Sequence, residues 1–307
     1  MSKEQRAKVD AILRQPRPEG PRSVDELRAG FKALMAQMIV PDDIRVTRTT
    51  LGDRRALHVE PDNGRRAGTI LYFHGGGWVF GSPETALSLT GNLAAKTGFA
   101  AYSVDYRLAP EHPFPAAIDD TLSAYRALLD GGEGPSAIAF AGDSAGGGLA
   151  VTTCLAARDA GLPLPAAIVA FSPGLDATRT GESMDTKEDV DPIFTRQAVE
   201  RTGAMYLAGA DPRQPLLSPA VLADLTGFPP LLLQAGTNEI LLDDSTRLAA
   251  RARAAGVDVI LDVTADVPHV FQAFAGVLDE ADEALDRAAL FLSQRVRADS
   301  TARTSAE

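Results

Sequence analysis

The chain has 307 residues, 45% of them hydrophobic and 23% charged, and a formal net charge of −11. That length and composition suffice for a substantial core without metals or disulfides, and a single cysteine, Cys154, excludes a disulfide framework. The negative balance, with no Lys/Arg stripe and interleaved aromatics to offset it, argues against nucleic acid as a partner.

The opening residues are polar and lack the apolar core of a signal peptide, and no later stretch reaches the ~18 apolar residues of a membrane span. A cytoplasmic protein with no membrane partner is expected. Ser23 with Glu26 forms a capping-box pattern, and Leu27, Phe31, Leu34, Met35 and Met38 follow at helical spacing, so two helices precede the sheet. Residues 44–49 and 56–60 flank the Leu51-Gly52-Asp53 turn and read as an antiparallel hairpin. Short apolar or β-branched runs at 69–73, 100–104, 138–141, 167–171, 231–235 and 257–263 then alternate with helical patterns, the signature of a mostly parallel sheet with helices on both faces.

The polar stretch TRTGESMDTKEDVDP, a helical pattern around 194–207 and a turn-rich segment interrupt this alternation. The expected fold is an α/β core of about eight strands at 43–176 and 220–298, with segments 1–42 and 177–219 forming a helical cap over the edge where open α/β sheets bind ligands. The tail at 299–307 has the composition of a disordered segment.

Gly142-Asp143-Ser144-Ala145-Gly146 satisfies G-x-S-x-G between a strand and a helix, which makes Ser144 the candidate nucleophile. The Ala145 N–H, at the helix start, points to where negative charge develops in acyl transfer. His74-Gly75-Gly76-Gly77-Trp78 directly follows an earlier strand, and the amides of Gly75, Gly76 and Gly77 complete a candidate oxyanion hole. A phosphate-binding loop is the rival reading, but no Lys-Ser/Thr pair follows.

These two motifs, with DYRLAPEHPFPAAIDD at 105–120 and the SPGLDAT, GTNEILLDDSTRLA and PHVF segments, resemble the hormone-sensitive-lipase family of bacterial esterases over nearly the whole chain. The resemblance implies the α/β-hydrolase fold, a helical cap, no cofactor or metal, hydrolysis of short- to medium-chain esters and a possible homodimer.

The general base follows by elimination among four histidines. His74 lies in the oxyanion loop, His58 in the early hairpin and His112 between prolines. His269 remains, after the last strand, where the order Ser, acid, His puts the base. The acid breaks the pattern: the related esterases have an Asp where this chain has Asn238, and an amide there favours the wrong histidine tautomer. Three readings stay open: Asn238 in the triad position of an impaired enzyme, a neighbouring carboxylate (Glu239 first, then Asp243), or Asp176 from the preceding loop. Phe31, Leu34, Met38, Trp78, Phe80, Asp143, Met205 and Tyr206 are candidate substrate contacts. An amidase, carbamate hydrolase or lactonase would use the same residues, and Asn238 raises a further alternative, a small-molecule receptor with a disabled triad.

Overall fold

The structure, a computed structural model, describes residues 2–15 and 23–297; the tail assigned to 299–307 lies outside them. Among these residues eight strands form one sheet: β1 (Ile44–Leu51), β2 (Arg54–Pro61), β3 (Thr69–Phe73), β4 (Ala100–Val104), β5 (Ile138–Asp143), β6 (Ala167–Phe171), β7 (Leu231–Asn238) and β8 (Val259–Pro268). Their order is β1-β2-β4-β3-β5-β6-β7-β8. The β1–β2 and β2–β4 pairs are antiparallel and the rest parallel, as the hairpin followed by alternating elements requires. Among the described residues ten helices accompany them: α1 (Ser2–Leu13), α2 (Val24–Met35), α3 (Leu87–Thr97), α4 (Ala116–Asp130), α5 (Ala145–Asp159), α6 (Ser183–Thr186), α7 (Arg196–Leu207), α8 (Pro219–Leu222), α9 (Leu242–Ala254) and α10 (Asp279–Arg295).

The central strands are buried on both faces, so they read as continuous apolar runs. Side chains still alternate between the faces. Leu71 and Phe73 of β3, Phe140 of β5 and Leu231 and Leu233 of β7 join Tyr125 of α4, Leu149 of α5 and Leu248 of α9 in one core. Ile70, Tyr72, Ala139 and Val169 face the other way, with Leu89 and Leu93 of α3 and Leu285, Phe291 and Leu292 of α10. Each fully buried Leu or Phe contributes about 1.5–3 kcal/mol.

The capping box of α2 is formed: the Glu26 N–H donates to Ser23 Oγ at 3.2 Å and the Ser23 N–H to Glu26 Oε2 at 2.8 Å. Arg28 fastens α2 to the loop after β3, donating to Val79 O at 2.9 Å and pairing with Glu111. Val9 and Leu13 of α1 pack with Val267, Phe271, Phe274 and Leu278 near the C-terminal end of β8. Among the described residues no helix is long and apolar enough to cross a membrane.

Candidate functional site

The C-terminal ends of β5, β7 and β8 bring three side chains into one line. Ser144 sits on the turn from β5 to α5 at φ 53°, ψ −119°, a region that costs a non-glycine residue about 1–3 kcal/mol. Hydrogen bonds hold the turn: the Ser144 N–H donates to Phe171 O at 2.8 Å, and its carbonyl accepts from Gly148 and Gly174, each at 3.0 Å. Glycine is obligatory around it. A Cβ on Gly146 would lie 1.9 Å from Phe73 O, and one on Gly142 would lie 2.4 Å from the Gly146 backbone.

His269 follows the last residue of β8. Its Nε2 lies 2.9 Å from Ser144 Oγ and its Nδ1 2.6 Å from Glu239 Oε2. With Nδ1 donating to the carboxylate, Nε2 is left to accept the serine proton. Burial by itself lowers the imidazole pKa, but the Glu239 hydrogen bond and charge, helped by Asp191 and Asp143, raise it above its ordinary value. The second Glu239 oxygen accepts from Ser172 Oγ at 3.0 Å and the Gly236 N–H at 2.7 Å, which fixes the carboxylate in a fully buried position.

Here the structure corrects the reading that put Asn238 against the histidine. Asn238 is the last residue of β7 and pairs with Pro268 across a bulge, so the residues one step beyond each, Glu239 and His269, are the ones that meet. The Asn238 amide accepts from Thr237 Oγ1 at 3.3 Å and opens with Arg6, Asp10 and Asp266 onto a separate hollow beside α1. Asp243 and Asp176 are also remote from the ring. Asp243 accepts from the Ser183 N–H at 2.9 Å, and Asp176 is enclosed by Thr178, Thr180 and Arg247.

The glycine loop needs a correction too. The Gly75 N–H is engaged by the buried Asp143 carboxylate, which also accepts from Tyr72 Oη at 2.8 Å. Burial pushes the Asp143 carboxyl up to about 6. Asp143 is therefore a prop beneath the loop rather than a substrate contact. Among the described residues, no acceptor engages the N–H groups of Gly76, Gly77 or Ala145, and these three are the oxyanion donors the structure leaves open. Gly76 at φ 122° admits only glycine, since a Cβ there would lie 2.0 Å from Phe80 O. His74 is buried and stacked on Tyr106 with centroids 4.2 Å apart, and burial lowers its pKa to about 4, so it stays neutral.

A cleft of about 170 Å³ lies beside the elbow, with Trp78, Gly148, Gly174, Tyr206, Leu216 and Leu217 among its lining residues. Trp78 stacks on Tyr206, with centroids 4.7 Å apart and planes at 9°. The other proposed contacts lie outside this lining. Phe31 packs on Phe80 with centroids 5.0 Å apart, Leu34 is half-buried on α2, and Met38 and Met205 pack against core residues. Sequence reasoning missed Ser172, Phe194, Asp191 and Arg179. A short serine loop after a strand is unremarkable in sequence, and the positive φ of Ser172 (45°) and Arg179 (54°) has no signature in residues other than glycine.

A family model described as the α/β-hydrolase fold matches residues 70–273. The chain is 42% identical over 256 residues to an acetyl-hydrolase of Streptomyces hygroscopicus, covering 83% of each chain. It is 38% identical over 217 residues to an esterase of Acinetobacter venetianus, 70% of this chain and 71% of the relative. Among solved structures, an esterase from the bacterial hormone-sensitive lipase family superposes with a TM-score of 0.92 at 41% identity, covering 96% of this chain and 99% of the other. With an esterase crystal soaked in p-nitrophenyl butyrate the TM-score is 0.90 at 40% identity, covering 95% and 98%. The chain thus belongs to the α/β-hydrolase family, among the bacterial hormone-sensitive-lipase esterases.

Proposed function

We propose that this protein is a serine carboxylesterase that hydrolyses short- to medium-chain esters through an acyl-enzyme. The unbroken hydrogen-bonded line from Ser144 Oγ through His269 to Glu239 carries this reading. The relatives named acetyl-hydrolase and esterase support it, as does the family member studied with a butyrate ester. Ser144 Oγ attacks the ester carbonyl carbon while His269 Nε2 takes its proton. The carbonyl oxygen becomes an oxyanion facing the Gly76, Gly77 and Ala145 N–H groups, each such donor being worth about 10²–10³ in rate. The tetrahedral species collapses as the imidazolium protonates the departing alkoxide, releasing alcohol and leaving an ester on Ser144. Water, deprotonated by the same imidazole, then repeats the sequence and frees the acid.

Glu239 holds the tautomer this sequence needs and stabilises the imidazolium. With a carboxylate on the ring, the ground for a receptor with a disabled triad disappears. The test is hydrolysis of p-nitrophenyl acetate, butyrate and octanoate against a Ser144→Ala blank. Turnover above the blank, with a burst of p-nitrophenol, supports the reading. Rates equal to the blank on all three esters overturn it.

A further inference from the structure

The cleft beside the elbow holds a cation that the reaction above does not use. Arg179 lines it together with mostly apolar side chains, including Trp78, Leu207, Leu216 and Leu217. Its guanidinium lies against α7, where the absence of a side chain at Gly203 makes room: a Cβ there would be 3.3 Å from Arg179 Nη2. A guanidinium has five N–H donors in a rigid fork that matches a carboxylate. Among the described residues, none of these donors has a hydrogen-bond acceptor, and no carboxylate is within ion-pair distance.

Neighbouring acids attract Arg179 without contacting it. Asp176 and Asp244 attract Arg179 at longer range, but the Asp176 oxygens are already filled by Thr178, Thr180 and Arg247. Asp244 Oδ2 accepts the N–H groups of Leu175 at 2.6 Å and Asp176 at 2.9 Å. Glu200, the acid in the cleft lining, also attracts Arg179, but it is exposed and its nearest cation is Arg196 at 3.5 Å. The backbone at Arg179 is held in the left-handed region, which most side chains avoid. Burial disfavours the bare cation, and a bound anion would offset that loss with charge-assisted, bidentate bonds.

We propose that Arg179 is a specificity-determining residue that receives a carboxylate at the far end of the substrate chain. The preferred substrates are then esters carrying a free carboxylate, on either the acyl or the alcohol side, separated from the ester by a short apolar chain. This rests on the esterase reading above.

The experiment compares matched esters with the unsubstituted protein and with Arg179→Met and Arg179→Lys. On the acyl side, mono-p-nitrophenyl adipate is set against p-nitrophenyl hexanoate. On the alcohol side, the butyrate ester of 6-hydroxyhexanoate is set against hexyl butyrate, followed by pH-stat. The unsubstituted protein should hydrolyse one carboxylated ester with a kcat/KM at or above that of its neutral match. Arg179→Met should lower kcat/KM on that ester about 10–100-fold more than on the neutral one, chiefly through KM, as expected for a lost charge-assisted hydrogen bond. Arg179→Lys should recover part of the loss.

The arm that shows the preference identifies which side of the ester enters the cleft. If the unsubstituted protein hydrolyses both carboxylated esters more than tenfold less efficiently than their neutral matches, the proposal fails, whatever the variants do. It also fails if Arg179→Met changes both members of a pair alike. If no ester is hydrolysed above the Ser144→Ala blank, the esterase reading itself falls, and this one with it.

Discussion

The Phe194 ring stands edge-on to the His269 imidazole, with centroids 4.8 Å apart and planes at 68°. Asp191 holds that geometry: one of its oxygens accepts the N–H groups of Ile193 at 2.8 Å and Phe194 at 2.9 Å, and the other accepts the Ile240 N–H at 2.9 Å. One buried carboxylate thus ties the segment over the site to the residue next to Glu239, and its charge also supports the imidazolium.

Replacing Asp191 by Asn tests both effects. His269 acts as a base only when neutral, and its raised pKa places the acidic limb of kcat/KM higher than an ordinary imidazole would. Removing a nearby negative charge destabilises the protonated ring, so the limb should move to lower pH. An Asn amide also presents a donor to the Ile240 N–H, so the variant should be less stable by about 1–3 kcal/mol. Rate profiles between pH 5 and 9 and thermal unfolding measure the two. An unmoved limb would remove Asp191 from the electrostatics of the base.

Glu239→Gln keeps the shape of the acid but lets the side chain offer an NH₂ to the ring. A fall in kcat on the order of 10⁴-fold is expected, the size found when the triad Asp of a serine protease becomes Asn. Asn238→Ala should stay within about twofold, the scale of a ~0.5 kcal/mol surface change. Initial rates on p-nitrophenyl butyrate decide it, and equal losses in the two variants would contradict the assignment of the acid.

Ser172 Oγ donates to Glu239 and accepts the Val270 N–H at 3.0 Å. Ser172→Ala leaves that N–H without its partner and the carboxylate one donor short, at about 1–3 kcal/mol in stability. A loss of roughly tenfold in kcat should accompany it, equivalent to ~1.4 kcal/mol on the barrier. A variant with native kcat and native melting temperature would show that the carboxylate is fixed without the serine.

Two glycines should respond oppositely to alanine. Gly146→Ala puts a Cβ into the Phe73 carbonyl, so loss of soluble protein or a destabilisation above ~3 kcal/mol is expected. Gly30 lies within α2 with open space around its Cα, and Gly30→Ala should stabilise by about 0.5–1 kcal/mol. Denaturant melts of both variants provide the comparison.

The sheet was legible in sequence because its central strands are short apolar runs bounded by turns, and the nucleophile because a glycine pair around Ser144 has few other uses. The limits came from tertiary structure. Strand β8 runs on to Pro268 through the polar residues Asp262, Thr264 and Asp266, which interrupt the continuous apolar run that marks the central strands. The acid was displaced by one residue because the bulge between β7 and β8 offsets their ends, and a one-residue slip along a strand turns the side chain to the opposite face. Partners such as Ser172 and Arg179 depend on backbone conformations that only the folded chain imposes.

The strands β3 and β5 are adjacent and in register, Phe73 beside Gly142, and the oxyanion loop and the nucleophile turn leave the sheet at that one rung. The two segments consequently start one interstrand spacing of ~4.8 Å apart, an offset set by backbone hydrogen bonds that no substrate touches. Residues 177–219, which supply Arg179, Tyr206 and Leu217 to the cleft, can therefore diverge between relatives while the bond-breaking geometry stays put. For engineering, the sheet is a fixed tool and the overlying segment an exchangeable jaw.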